Sequence, residues 1–270
     1  MSDWSQKVVL ITGGSRGLGL ELAKVWAAQQ AKVIIVARDA QQLETSAAEI
    51  RSQIAAAQVL TMVADLTKPD KVTALFHRVE SETGRLDVLV NCAGISARGR
   101  ILETPPEEFT RLLELNLLAT VRCVQAASKL LLASRGSIVN IGSLAGRSAS
   151  RYLGAYPASK FALTAYTQQL RLELAEEGVH LLLVSPGPIR RADGGSRYQH
   201  SGSSELPPDA MKPGGGVKLK GIDPTYLAEK IVKSCQRRQP DLVVPGRARI
   251  LFAIQQLFPR FGDWILSKMT

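Results

Sequence analysis

Little in this 270-residue chain points to cross-links or metals. Its three cysteines, Cys92, Cys123 and Cys235, show no Cys-x-x-Cys spacing. That excludes a disulfide framework and fits a reducing, cytoplasmic setting. The three histidines, His77, His180 and His200, are scattered, so no metal site is expected. No apolar run approaches the roughly 20 residues that a spanning helix needs. No secretory leader is expected either, because M-S-D-W-S-Q-K runs straight into the first apolar strand pattern.

What the chain does have is a 45% share of hydrophobic residues, enough for a sizeable core, and a length that suits one domain over 1–270. The net charge of +10 is unevenly spread: residues 186–270 carry 14 Lys and Arg against 7 Asp and Glu. A basic C-terminal third can face acidic lipid, a phosphorylated ligand or nucleic acid. No nucleic-acid motif accompanies it, so no nucleic-acid partner is expected.

Apolar runs of strand length alternate with helical patterns. Strands are predicted over 7–12, 32–36, 59–63, 86–90, 137–141, 179–184 and 242–244. Helical patterns fill the intervals, including 39–56, 69–83, 105–133 and 224–238. This rhythm implies βαβ units and an α/β fold: a Rossmann-type, doubly wound parallel sheet flanked by helices. Ligands in such sheets bind at the carboxyl ends of the strands. The Gly13–Gly19 turn, Arg38, Asp65, Asn91, Ser143 and Pro186-Gly187 all follow predicted strand ends and should share that edge.

G-G-S-R-G-L-G (13–19) lies between a strand and a helix, the context in which such glycines carry meaning. Gly13 can take the tight turn, Gly17 lets backbone approach a pyrophosphate, and Gly19 allows close helix packing. The helix N-terminus adds unpaired N–H groups and a positive dipole end. The second strand ends in Ala37-Arg38, where an NAD site would place an acid for the ribose 2′-hydroxyl. With Arg16 in the glycine turn, two guanidinium groups suit a 2′-phosphate, so NADP(H) is expected over NAD(H) although Asp39 is close by.

Tyr156 and Lys160 stand four apart at the start of a helix predicted to run to about Glu177, which puts phenol and ammonium on one face. A phenol titrates near 10 when unperturbed, and a fixed cation one turn away favours the phenolate. Ser143, at the end of G-S-I-V-N-I-G, could hydrogen-bond an oxygen that Tyr156 also reaches. By itself such a pair is more usually an amphipathic surface. Asn116 sits among leucines in L-E-L-N-L-L, where an unpaired amide is costly.

Taken together, T-G-G-S-R-G-L-G (12–19), A-D-L (64–66), N-C-A-G (91–94), Asn116, Ser143, Y-P-A-S-K (156–160) and P-G-P-I (186–189) resemble the short-chain dehydrogenase/reductase family of the Y-x-x-x-K type. The match covers residues 7–190. The resemblance implies that Tyr156 is the general acid toward a carbonyl oxygen, with Lys160 lowering its pKa and holding the nicotinamide ribose. Ser143 would orient the carbonyl, and Asn116 would bind a water linked to Lys160. It implies cofactor contacts from Gly13, Ser15, Arg16, Gly17, Leu18, Gly19, Arg38, Asp65, Leu66, Asn91, Ala93, Gly94, Pro186, Gly187 and Ile189, besides Tyr156 and Lys160. Three positions depart from the family pattern. Cys92 replaces a usual Asn, Gly142 replaces a frequent Ser, and Arg191 stands where a Thr helps clamp the nicotinamide end.

In this family residues 190–221, rich in Gly, Ser, Pro and basic residues, correspond to a substrate loop. The C-terminal extension 247–269 has helical apolar spacing that Pro259 should kink or divide. It is expected to pack on the protein's own core or another subunit; the alternative is peripheral membrane contact, with Trp264 and basic residues at a headgroup boundary. The expected function is NADPH-dependent reduction of a small-molecule ketone, hydrophobic or lipid-like, by a homodimer or homotetramer. The alternatives are a 3-oxoacyl or sugar ketone reductase, or a non-catalytic NADP(H) sensor.

Overall fold

The structure, a computed structural model, describes residues 4–190, 206–212, 214, 216 and 220–269. Seven strands form one fully parallel sheet: β1 (Val8–Thr12), β2 (Lys32–Ala37), β3 (Gln58–Val63), β4 (Val88–Asn91), β5 (Ser137–Ile141), β6 (His180–Pro186) and β7 (Asp241–Val244). Their order across the sheet is β3-β2-β1-β4-β5-β6-β7. The reversal beside β1 is the switch point of a doubly wound fold.

Central strands such as VVLIT are buried on both faces, which is why they read as continuous apolar runs. Successive side chains alternate faces. Val9 and Ile11 join a core with Leu22 and Trp26 of α1 (Gly17–Ala28), Leu43 and Ile50 of α2 (Ala40–Gln53), and Ile231 of α7 (Pro224–Gln236). Val8 and Leu10 join the other core, with Leu75 and Phe76 of α3 (Pro69–Thr83) and Cys123 and Ala127 of α5 (Ala119–Ser134). Tyr166 and Leu170 of α6 (Tyr156–Glu173) pack against that second core.

Helix starts follow local chemistry. Asp39 caps α2 by accepting from Gln42 N–H at 3.0 Å, and Asp223 caps α7 the same way from Tyr226. Proline opens α3, α7 and α4 (Pro106–Leu113), where its missing N–H is harmless. The long pattern predicted over 105–133 is not uniform. A π turn over Glu114–Leu118 joins α4 to α5, centred on Asn116. Pro106–Ser134 is long and apolar enough, by length and composition, to cross a membrane. Its sequence hides this because Arg111, Glu114, Arg122 and Lys129 interrupt the apolar run. Leu112, Cys123, Ala127 and Leu131 on it are buried within the domain.

Pro259 divides the C-terminal extension into α8 (Ala248–Leu257) and α9 (Pro259–Met269), with Phe258 as the break. The two helices fold back closely: a Cβ on Gly262 would stand 2.6 Å from the Gln255 Cα.

Asp87 anchors the N-terminal edge of the sheet. Its carboxylate accepts from Val8 N–H at 2.9 Å, from Lys7 at 3.1 Å and from Arg85 at 2.6 Å. Burial alone would push this carboxyl up, but the bonds from Arg85, Val8 and Lys7 outweigh it and hold it below the usual range. A depressed folded pKa gives stability that is present above the unfolded value near 3.9 and is lost as pH falls through the folded one. Asp87→Asn should therefore cost about 1–3 kcal/mol near neutrality. Urea unfolding from pH 7 to pH 3 should show the gap from wild type closing with acid, and a gap independent of pH would contradict this account.

Candidate active site

The carboxyl edge of the sheet opens into a cavity of about 1920 Å3. Strand order sets the sequence of its walls. Asp65 and Leu66 follow β3, Arg38 follows β2, the glycine turn follows β1, and Cys92–Ile95 follow β4. Ser143 follows β5, Pro186 ends β6 with residues 187–190 beyond it, and Arg247 with α8 follows β7.

The glycine turn is built tightly. Gly13 has a φ of +67°, and its N–H donates to the Val36 carbonyl at 2.8 Å. A Cβ on Gly19 would stand 2.2 Å from the Gly13 oxygen, so α1 rests on the turn itself. Gly17, the first residue of α1, has a φ of +56° and would meet nothing within 4 Å. An exposed backbone at the N-terminus of a 12-residue helix, facing a cavity, fits a pyrophosphate. Ser15, buried in the turn, is held from outside. Its carbonyl accepts from the Ser46 hydroxyl at 2.7 Å and the Gln42 amide at 3.4 Å.

At the β2 and β3 end, Asp39 is engaged as the α2 cap, so the acid near Arg38 already has a role. Arg16 and Arg38 both line the cavity. The Asp65 carboxylate accepts from the Thr67 hydroxyl at 2.8 Å and the Thr67 N–H at 3.0 Å. These bonds, with the Arg38 charge, hold it below the usual carboxylate range.

At the β4 and β5 end, Thr12 ties two strand ends together. Its hydroxyl donates to the Val90 carbonyl and accepts from the N–H groups of Cys92 and Ala93 at 3.0 and 3.1 Å. The backbone at 92 makes that bond, so a cysteine can stand there. Gly142 is sterically required: a Cβ would come 2.9 Å from the Val184 carbonyl. The Ser143 hydroxyl accepts from Ala145 N–H at 3.1 Å, capping a 3-10 turn over Leu144–Gly146. Its own proton stays available for a ligand oxygen.

Tyr156 opens α6 and packs beside Ala97, Leu112 and Ala155. Lys160, one turn on, is buried, and its Nζ donates to the Ile141 carbonyl at 2.8 Å. Burial pushes the ammonium down to about 8, against a small opposing influence from Cys92. Ser143, Tyr156 and Lys160 line the same cavity.

Two expected site residues lie behind the wall. The Asn91 amide donates to Asn140 Oδ1 at 2.9 Å, and Asn140 donates to Thr167 Oγ1 at 2.9 Å, beneath the sheet edge. The Asn116 amide spans Ile95, accepting from its N–H and donating to its carbonyl, both at 2.9 Å, and donates to Ser159 Oγ at 2.9 Å. A Cβ on Gly94 would sit 2.9 Å from Asn116 Oδ1 and 3.6 Å from Lys160 Nζ, so Asn116 shapes the Lys160 pocket through residues 94 and 95. The remaining expected contacts, including Leu18, Ala93, Gly187 and Ile189, line the cavity. Arg191 lies outside the described residues, as does most of the expected substrate loop. Sequence reasoning missed Thr12 and Ser46 as supports, and it missed α8 and α9 as walls: Leu251, Phe252, Ile254, Ile265 and Leu266 line the cavity. No cluster of His, Cys, Asp or Glu among the described residues could hold a metal.

Residues 7–200 match the family model described as short chain dehydrogenase. A Drosophila melanogaster protein named dehydrogenase/reductase SDR family protein 7-like is 31% identical over 270 residues, covering 97% of this chain and 80% of that one. A short-chain dehydrogenase structure from Streptomyces avermitilis superposes with a TM-score of 0.80 at 27% identity, covering 99% of this chain and 98% of that one. A metagenomic short-chain oxidoreductase, solved with NADP, superposes at 0.71 with 28% identity, over 90% and 96%. The chain belongs to the short-chain dehydrogenase family: an oxidoreductase acting between CH–OH and C=O, on a fold that binds a nicotinamide cofactor.

A lysine whose folded pKa is depressed destabilises the fold below that pKa, and the penalty fades as pH rises from about 8 toward the unfolded value. Lys160→Met should relieve it, less the cost of leaving the Ile141 carbonyl unpaired. The net gain at pH 7 should be on the order of 1–2 kcal/mol. Thermal unfolding of both proteins from pH 7 to pH 10 checks this. A variant less stable than wild type at pH 7 would show that the ammonium is not penalised.

Proposed function

We propose that the chain is an NADPH-dependent reductase of hydrophobic ketones. The observation that carries this is the order of groups along the cavity. Two guanidinium groups lie at the β1–β2 end, the Ser143, Tyr156 and Lys160 group lies beyond β4, and apolar helix walls follow β7.

The nicotinamide, when bound, supplies the hydride. The chain's own residues manage the oxygen. Ser143 donates a hydrogen bond to the carbonyl oxygen and turns it toward Tyr156. The Tyr156 phenol gives its proton to that oxygen as the alcohol forms. Lys160 favours the resulting phenolate from one turn away. Arg16 and Arg38 receive a 2′-phosphate, and Asp65 receives the adenine edge. The apolar side chains of α8 and α9 exclude water and accept the hydrocarbon part of the substrate.

The NADP-bound relative supports this cofactor choice, and the committed cap role of Asp39 favours it over NADH. Exposed Phe161 and Leu172 on α6 support a homo-oligomer. The outer side of the C-terminal pair supports peripheral membrane contact: Leu257, Phe258, Phe261 and Trp264 are all exposed, Phe261 stacks on Trp264, and Arg260 stands among them.

Nicotinamide absorbance over a carbonyl panel, from small diketones to long-chain 3-oxo compounds, tests the reductase. Tyr156→Phe should lose at least about 1000-fold in kcat while binding NADPH normally. Arg38→Ala should weaken NADPH about 10- to 100-fold and leave NADH unchanged. Equal losses for both cofactors would refute the 2′-phosphate assignment. NADPH binding without turnover anywhere on the panel would favour the sensor reading. For membrane contact, wild type should float with anionic vesicles and F261E/W264E should not; equal recovery would remove the membrane from the account.

A further inference from the structure

Arg98 is a cavity residue whose guanidinium is nearly sealed from water at 5% exposure. Its Nε donates to the Ala210 carbonyl at 2.9 Å, its Nη2 to the Lys212 carbonyl at 3.1 Å, and its Nη1 to the Ala97 carbonyl at 2.7 Å. Two of these acceptors lie more than 110 positions away, in the segment holding the 3-10 turn Pro208–Met211. Two residues beyond Lys212, Gly214 lines the cavity, and a Cβ there would strike the Pro188 ring at 2.4 Å. The backbone beside Arg98 is tied the other way. Gly99 N–H donates to Tyr152, and Gly154 N–H donates back to Gly99, both at 3.1 Å. That pairing forms a short parallel bridge with Leu153, and the Leu153 carbonyl accepts from Tyr156 N–H at 3.1 Å.

A buried guanidinium has a rigid fork of donors and cannot shed its charge, so it fixes the relative placement of whatever carbonyls it joins. Here one side of the fork holds the 208–212 segment, and the backbone of the next residue, Gly99, holds the turn that delivers Tyr156. We propose that Arg98 is a positioning residue that sets the 208–212 segment, which leads to the cavity-lining Gly214, relative to the Tyr156 hydroxyl. Substrate fit and proton delivery then share one tether, which adds a determinant outside Ser143, Tyr156 and Lys160. The kinetic arm of the test rests on the reductase reading; the exchange arm does not.

The test compares wild type, Arg98→Met and Arg98→Lys in the full chain, by hydrogen-exchange mass spectrometry and kinetics. In Arg98→Met, amides of 206–212 and 152–156 should exchange about tenfold faster or more, with the central strands unchanged. The NADPH Kd should stay within about twofold, while KM for the best carbonyl rises about tenfold or more. Arg98→Lys, whose one ammonium cannot span both carbonyls, should fall between. Unchanged exchange at both segments in Arg98→Met would overturn the proposal. So would faster exchange across the whole sheet with NADPH binding lost, because Arg98 would then be a general stabiliser. If wild type turns over no carbonyl, the reductase reading fails while the exchange pattern still decides the tether.

Discussion

The Lys160 ammonium is withdrawn from water and given the Ile141 carbonyl, 2.8 Å away, in return. A buried cation is expensive, and much of the local structure exists to keep this one in place. Gly146 has no side chain because a Cβ would meet the Lys160 carbonyl at 2.6 Å, which lets the 3-10 turn after Ser143 press against α6. The Thr164 hydroxyl reaches both carbonyls, Lys160 at 3.0 Å and Gly146 at 3.1 Å, and so locks turn to helix. The same contact therefore holds the turn that Ser143 caps against the helix that carries Tyr156.

The wall opposite Lys160 is held by an amide. Asn116 uses its donors and its acceptor on Ile95 and Ser159, and Ser159 in turn donates to the Tyr156 carbonyl at 2.8 Å. The π turn widens the helix at the position where the amide must turn toward Ile95. Asn116 thus positions both Gly94, beside Lys160, and the first turn of α6. Such a network is worth building only when its members are satisfied, and here both amide atoms of Asn116 and the Ser159 hydroxyl have partners.

Much of the fold was legible because strand runs and glycine punctuation are local. Strand ends at Thr12, Ala37 and Ile141 fall within a residue of the periodicity limits, and Pro259 divides the C-terminal helices as its missing N–H requires. The placement of the candidate residues at the strand ends followed from the parallel order alone. What escaped was orientation. Asn91 ends β4 at the expected place, but it shares parity with Leu89, so its side chain goes under the sheet to Asn140. Thr12 and Ser46 escaped because their partners lie 78 to 81 and 31 positions away, beyond any local pattern. Asn116 was visible as an anomaly among leucines; Ile95 as its partner was not.

The strand order also separates what must stay constant from what can vary. The glycine turn and its neighbours come from β1 to β4, where Gly13, Gly14, Gly17, Gly19 and Gly94 are each fixed by a contact of about 3 Å or less or by a positive φ. Beyond β5 the walls come from segments joined to the sheet at their bases, by the Ile189–Ile222 bridge and the Arg190–Asp223 pair at 2.6 Å. Helices α8 and α9 add an apolar wall tied to β7 through Arg249, whose guanidinium donates to the Asp241 carbonyl at 3.2 Å and pairs with its carboxylate at 2.9 Å. A cavity end assembled this way can change its apolar content without disturbing the glycine turn. It also needs a separate device to keep register with Tyr156, and a buried guanidinium spanning residues 97 to 212 is suited to that task.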